Sequence, residues 1–261
     1  MSLMTYEEWF DAGGTRRRLE RALADGELRR LRRSVLVVGT TGPSTALAEH
    51  LLRVRAAAPF LGERTVFSRF SAAAIHGLPV LRHRLAEVTV VRAGGGHGSI
   101  SPTIHARHGP LPEEDQTLLG GLPVTSLART VADLVRELPF DEGVMVADAG
   151  LRRGLDCGEL LLRVADRRGS RRGATAISFA DPDAESAGES LSRAHMALAG
   201  LMMPVLQQVV TDRAGGFVAR GDFYWEHCRT IGEFDGRVKY DELATTTGAS
   251  RVVMDEKRRE E

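Results

Sequence analysis

The chain has 261 residues, 43% of them apolar and 27% charged, and its 35 basic residues balance 35 acidic ones. This suits one large domain or two to three small ones and excludes a wholly disordered chain. No apolar run approaches the roughly 18 residues of a membrane span, and two cysteines, Cys157 and Cys228, are too few for a disulfide framework or a zinc cluster.

The start, "MSLMTYEEWF", lacks a basic stretch followed by an apolar core, so it does not read as a secretory signal, and a reducing cytoplasm is the expected compartment. "MSL" before a second methionine reads as a vector remnant and is set apart from the fold. Thr5-Tyr-Glu-Glu8 is a capping-box pattern that predicts a short helix from Tyr6 to about Asp11, stopped by Gly13-Gly14. Thr15 can cap a second helix, "RRRLERALADG", in which Leu19, Ala22 and Leu23 share one face. "ELRRLRR" and "SVLVVG" follow as two short strands around an Arg32-Arg33 turn. Helix, turn, basic helix and hairpin describe a winged helix–turn–helix over residues 4–39. In that design the second helix enters the major groove and the hairpin touches phosphate.

Residues 40–180 read as a middle α/β unit. A helix is predicted from Ser44 to about Arg55, a strand near Thr65–Phe67, and a short helix at "SRFSAAAIHG" closed by Gly77 and Pro79. Strands return at "AEVTVVR" and "SPTIHAR" around the glycine-rich loop "AGGGHGS". Helices resume at "SLARTVADLVREL", "DEGVMVADAGLRRG" and "CGELLLRVADRRG". The polar segment "DPDAESAGES" then marks a boundary. Beyond it, a helix opens at Glu189, and three strands are predicted at "PVLQQVVT", "GGFVARGDFYW" and "RTIGEFDG". "RVKYDEL" and a charged helix, "VVMDEKRREE", complete the chain.

Neutrality conceals an asymmetry. Residues 181–261 hold 15 acidic and 10 basic residues, whereas residues 15–33 alone hold eight arginines: Arg16, Arg17, Arg18, Arg21, Arg29, Arg30, Arg32 and Arg33. Such clustering is the electrostatic footprint of a nucleic-acid binder. A solvated basic face in a protein that uses arginine almost exclusively is the alternative.

In the acidic part, Glu233 and Asp235 stand at i and i+2 of a predicted strand and so share a face. Asp222 on the preceding strand can reach that face, and Glu189 at the helix start can add a fourth carboxylate. Such hard oxygen donors suit Mg²⁺ or Mn²⁺, and the layout is that of a metal-dependent nuclease, with one or two ions activating water beside a phosphate. Lys239, one of only two lysines, follows four residues after Asp235 and can offset phosphate charge. The competing reading makes "FDGR" a turn and Glu189 a helix-start residue favoured by the macrodipole.

Other candidates read as structural. His76 ends a short apolar helix, while His97, His105 and His108 have no acid or cysteine cluster around them. Ser126 and Thr130 sit where helix caps belong. Cys228 falls in a turn between the two acidic strands, where nothing nearby nominates it as a nucleophile. Tyr224 and Trp225 are expected to pack under the sheet.

Several segments carry a resemblance. "ADGELRRLRRSVLVV", "SRFSAAAIHGLPVL" and "LPVTSLARTVADLVREL" resemble AbiEi-type antitoxins of type IV toxin–antitoxin systems of bacteria. "ESAGESL", "FVARGDFYW" and "IGEFDGRVKY" resemble a fused domain similar to very-short-patch-repair endonucleases and the PD-(D/E)xK superfamily. The resemblance implies an α/β (α+β) protein with a winged helix, a middle AbiEi-like domain over 40–180 and a restriction-endonuclease-like three-layer domain over 181–261. It further implies that this last domain is cut short at Glu261.

In that superfamily's terms Glu189 is the helix glutamate, Asp222 the strand aspartate and Glu233 the second acidic residue. Asp235 stands where its lysine would fall, with Lys239 as the replacement. The implied partners are double-stranded DNA and a nucleotidyltransferase toxin, with no membrane. The implied function is a DNA-binding antitoxin and transcriptional regulator carrying a nuclease-like module. An active Mg²⁺-dependent endonuclease of repair or defence is the alternative, and a module that neutralises a toxin by contact alone is a third.

Overall fold

Thr5 caps the first helix in the predicted manner: its hydroxyl accepts from the Glu8 amide at 3.1 Å and its own amide donates to Glu8 Oε2 at 2.7 Å. A computed structural model describes residues 2–32, 34–39, 45–94, 99–100 and 104–235. The chain divides into two units, Met1–Ala180 and Asp181–Glu261, and is mixed α/β with three sheets among the described residues.

The first unit starts with β1 (Ser2–Thr5), α1 (Tyr6–Asp11), α2 (Arg16–Ala24), β2 (Leu28–Arg32) and β3 (Val35–Val38), with sheet order β1-β3-β2. The segment set apart as a remnant is thus a strand: Leu3 pairs with Val37 and Met4 with Leu36. Its short length hides any alternation, and only pairing with β3 makes it visible. Leu19 and Ala22 of α2 pack on Leu28 and Leu36 as the spacing predicts, with Tyr6 and Trp9 closing the cluster.

The middle of this unit is a six-stranded mixed sheet. Its strands are β4 (Thr65–Phe67), β5 (Val88–Ala93), β6 (Ser99–Ile100), β7 (Ile104–Gly109), β8 (Gln116–Leu119) and β9 (Leu122–Thr125), in the order β6-β7-β5-β4-β9-β8. The hairpin β8–β9 is absent from the sequence reading, because its strands are four residues each and a proline interrupts the second. Against the sheet lie α3 (Ala46–Ala57) and α4 (Arg69–His76), where Val54, Phe67, Val88, Val90 and Val124 are almost fully buried. Burying each such side chain stabilises the fold by about 1.5–3 kcal/mol.

The remainder of the unit is α5 (Leu127–Glu137), α6 (Phe140–Arg152), α7 (Cys157–Val164) and α8 (Ser170–Phe179). The last is another element missed from sequence, because "SRRGATAISF" lacks a strong apolar stripe. Asp115 ties the hairpin to this layer by accepting from Arg129 at 2.6 Å and Arg163 at 2.8 Å.

The second unit contains α9 (Ala187–Leu198) and an antiparallel sheet of β10 (Val205–Thr211), β11 (Phe217–Trp225) and β12 (Thr230–Gly232), in that order. The third predicted strand therefore ends at Gly232, before Glu233 and Asp235. Predicted elements at "RVKYDEL" and "VVMDEKRREE", residues 95–98 of the loop "AGGGHGS", and the residues Arg33, His97 and Lys239 lie outside the described residues. Among the described residues, no helix is long and apolar enough to cross a membrane.

Candidate nucleic-acid interface and carboxylate site

The helix α2 shows why its arginines face outward. Leu19 and Ala22 fix the inner face, so Arg16, Arg17, Arg18 and Arg21 are exposed. Thr15 holds the helix start, accepting from the Arg18 amide at 3.3 Å. Arg16 reaches Glu20 at 3.1 Å across a largely exposed i,i+4 pair, an interaction too weak in water to neutralise the row.

The hairpin arginines are less available than their number suggests. Arg29 donates to both oxygens of Glu49 on α3, at 2.9 and 2.7 Å, and that carboxylate raises the Arg29 pKa while its own falls. Arg30 is exposed and stands over the Tyr6 ring at 5.8 Å. Arg32 lies over Phe60 at 4.4 Å, and desolvation lowers its pKa. The expected wing thus has two of its arginines engaged within the protein, a long-range pairing that sequence spacing does not reveal.

In the second unit the four named carboxylates have different settings. Glu189 is buried in the first turn of α9, and its Oε2 accepts from the Glu185 amide and from Gln207 Nε2, both at 2.9 Å. Asp222 on β11 is half-buried, and its Oδ2 accepts from the Phe234 amide at 2.8 Å, tying down the chain just beyond β12. Glu233 is exposed, with Oε1 about 3.5 Å from where a Cβ on Gly221 would stand. Asp235 is exposed too. Since β12 ends at Gly232, the shared strand face expected for Glu233 and Asp235 is not formed by a paired strand.

Two residues that sequence reasoning overlooked organise this region. Gln207 interrupts the apolar run of β10 and adopts φ +52°, which L-residues rarely do, between the pairs Leu206–Phe223 and Gln208–Gly221. It therefore sits across from Asp222 while its side chain holds Glu189. The polar doublet "QQ" inside a strand was the available signal. Phe234 lays its ring on Gly188, whose missing Cβ makes the contact possible. The oxygen donors suit a hard cation. However, among the described residues no three His, Cys, Asp or Glu side chains stand together closely enough to hold a metal ion.

The other candidates have structural partners. His76 Nε2 meets the Thr125 carbonyl at 2.7 Å, and burial lowers its pKa. His105 stands 3.6 Å from Glu87, its pKa lowered by burial and then by Arg107. Ser126 caps α5, accepting from the Arg129 amide at 3.3 Å, whereas Thr130 lies inside the helix and its hydroxyl donates back to the Ser126 carbonyl at 2.8 Å. Cys157 and Cys228 are both free thiols. Tyr224 and Trp225 are half-buried, and Trp225 Nε1 donates to the Met202 carbonyl at 2.8 Å.

No protein-family model matches the chain. It is 31% identical over 193 residues to the uncharacterized proteins Rv2248 and MT2308 from two strains of Mycobacterium tuberculosis, a match that spans 70% of this chain and 67% of each of theirs. The crystal structure of the Rv2827c protein from Mycobacterium tuberculosis aligns with 81% of this chain and 84% of its own, at TM-score 0.45 and 14% identity.

Proposed function

The chain belongs to the family of the Mycobacterium tuberculosis protein Rv2248, and we propose that it is a cytoplasmic DNA-binding regulator of the AbiEi antitoxin type carrying a nuclease-like module. The observation that carries this reading is the exposed row Arg16, Arg17, Arg18 and Arg21 on α2. The helix is seated on Leu28 and Leu36 beside a sheet of order β1-β3-β2. Strand, two helices and a hairpin in that order are the parts of a winged helix, with α2 as the recognition helix. Its arginines would contact phosphates and position the helix, while base edges supply sequence preference. In this reading the natural ligand is duplex DNA, and a nucleotidyltransferase toxin is the antitoxin's counterpart.

In a second reading the chain is an active endonuclease, for which the ties of Glu189 to Gln207 on β10 and of Asp222 on β11 to the Phe234 amide speak. In that case Asp222, Glu233 and Asp235 would hold Mg²⁺ or Mn²⁺, with Glu189 and Lys239 assisting.

The two readings separate in one experiment on short duplexes and plasmid with Mg²⁺ or Mn²⁺. The regulator reading expects salt-sensitive duplex binding without cleavage, and binding equal in Asp222→Asn and Glu233→Gln. Cleavage that both substitutions abolish would establish the endonuclease instead. Duplex affinity that does not depend on salt would reject DNA binding through these arginines.

A further inference from the structure

A cavity of about 660 Å³ opens in the first unit, between the start of α4, the end of β7, the last turns of α5 and the start of α8. Its volume is in the range of small-ligand sites. Six arginines line it against only two carboxylates, Asp133 and Glu137. Each carboxylate is already shared. Glu137 takes Arg69 and also Arg107, the latter at 3.0 Å, while Asp133 takes Arg136 and also Arg129, the latter at 2.8 Å. Arg168 and Arg172 have no carboxylate partner among the described residues, so the wall keeps an excess of positive charge.

Three of the lining residues also carry buried polar atoms that lack a hydrogen-bond partner among the described residues: Ser68 Oγ, Arg69 Nε and His108 Nδ1. Ser68 is 1% exposed and Arg69 7%. Native proteins rarely leave such groups unsatisfied unless something else occupies the position.

Ser68 stands at the N-cap position of α4 but makes no cap there. The amide of Ser71 instead donates to Thr89 Oγ1 at 3.0 Å, and Thr89 Oγ1 donates to the Ser68 carbonyl at 2.6 Å. That substitution leaves the Ser68 hydroxyl free to donate elsewhere. Arg69 holds φ +51°, a left-handed conformation that costs a non-glycine residue energy and recurs at ligand sites. Burial, and after it the neighbouring Arg107, pulls its pKa down to about 10.

From these residues we propose that the cavity binds a small phosphorylated molecule. The phosphate dianion would be held by Arg168, Arg172, Arg69 Nε and the Ser68 hydroxyl. Guanidinium forks match phosphate oxygens, and the remaining volume takes the body of a phosphate ester.

The test is calorimetric titration of the full chain with inorganic phosphate, pyrophosphate, ribose 5-phosphate and adenosine monophosphate, with chloride as control. Saturable binding is expected, weakened about tenfold or more in Ser68→Ala and in the double variant Arg168→Ala/Arg172→Ala, the loss typical of a hydrogen bond to a charged group. Ser68→Ala removes a hydroxyl without a partner, and Arg168 and Arg172 are exposed, so wild-type melting temperatures are expected for both variants. Tighter binding of the esters would identify an organic phosphate as the ligand, and equal binding would identify phosphate itself. Binding that chloride reproduces, that the variants leave unchanged, or that is absent would overturn the proposal. Displacement of every phosphate ligand by duplex DNA, with duplex affinity falling in the double variant, would do the same and assign the cavity to DNA contact.

Discussion

The Arg29–Glu49 pair permits a test of which arginines meet DNA. Glu49→Gln removes the carboxylate that binds Arg29 through two hydrogen bonds at 2.9 and 2.7 Å. Glu49 also pairs with Arg53 at 3.2 Å, and each of these partly exposed pairs is worth about 1 kcal/mol or less, so the fold persists. Arg29 is then freed at the hairpin. If the hairpin lies along the DNA backbone, one more phosphate is neutralised, and the slope of log K against log salt steepens by about 0.9.

Replacing Arg16, Arg17, Arg18 and Arg21 together with alanine works in the opposite direction. Alanine favours helix and the buried Leu19 face is untouched, so α2 remains folded. With one phosphate lost per arginine, the slope becomes shallower by about 3.6, and over a fourfold rise in salt the fall in affinity shrinks roughly a hundredfold. Fluorescence anisotropy of a labelled duplex at several salt concentrations measures both. An unchanged slope in the α2 variant would refute the recognition-helix assignment, and an unchanged or shallower slope in Glu49→Gln would remove the hairpin from the interface.

Two further outcomes follow from burial. His50 is fully buried between the Leu85 carbonyl at 3.1 Å and Ser71 Oγ at 3.0 Å, and desolvation lowers its pKa from 6.5. The unfolded chain therefore binds the proton more readily, so stability is full above about pH 6.5 and declines as pH falls toward the folded-state value. Urea unfolding of the wild type and His50→Gln between pH 7.5 and 5 checks this, with a smaller acid loss expected in the variant. Gly188→Ala places a methyl against the Phe234 ring; the ring must leave α9, at a cost of about 1–3 kcal/mol. Phe234→Ala alone and in combination with Gly188→Ala, compared by thermal melting, gives the coupling, and strictly additive losses would contradict the contact.

Local chemistry is what the sequence by itself determined. Thr5, Thr15 and Ser126 cap the helices they precede, and the 3.6-residue spacing of Leu19 and Ala22 turns the α2 arginines outward. All of these interactions lie within a few residues along the chain, where spacing is enough to state them. The mixed α/β character and the strands on either side of Gly215-Gly216 were legible for the same reason.

Tertiary structure decided everything that depends on a distant partner. Strand β1 exists because β3 accepts it, and beyond the end of β12 at Gly232 the Phe234 amide turns to Asp222. Glu49, 20 residues away, engages Arg29, so a count of arginines overstated the wing. Gln207 reaches Glu189 only after β10 folds back beside α9. The basic cavity likewise draws Ser68, His108, Asp133 and Arg172 from four elements. Charge and hydrogen-bonding capacity are written in the sequence, but which of them are used up inside the fold and which face a ligand is settled by packing.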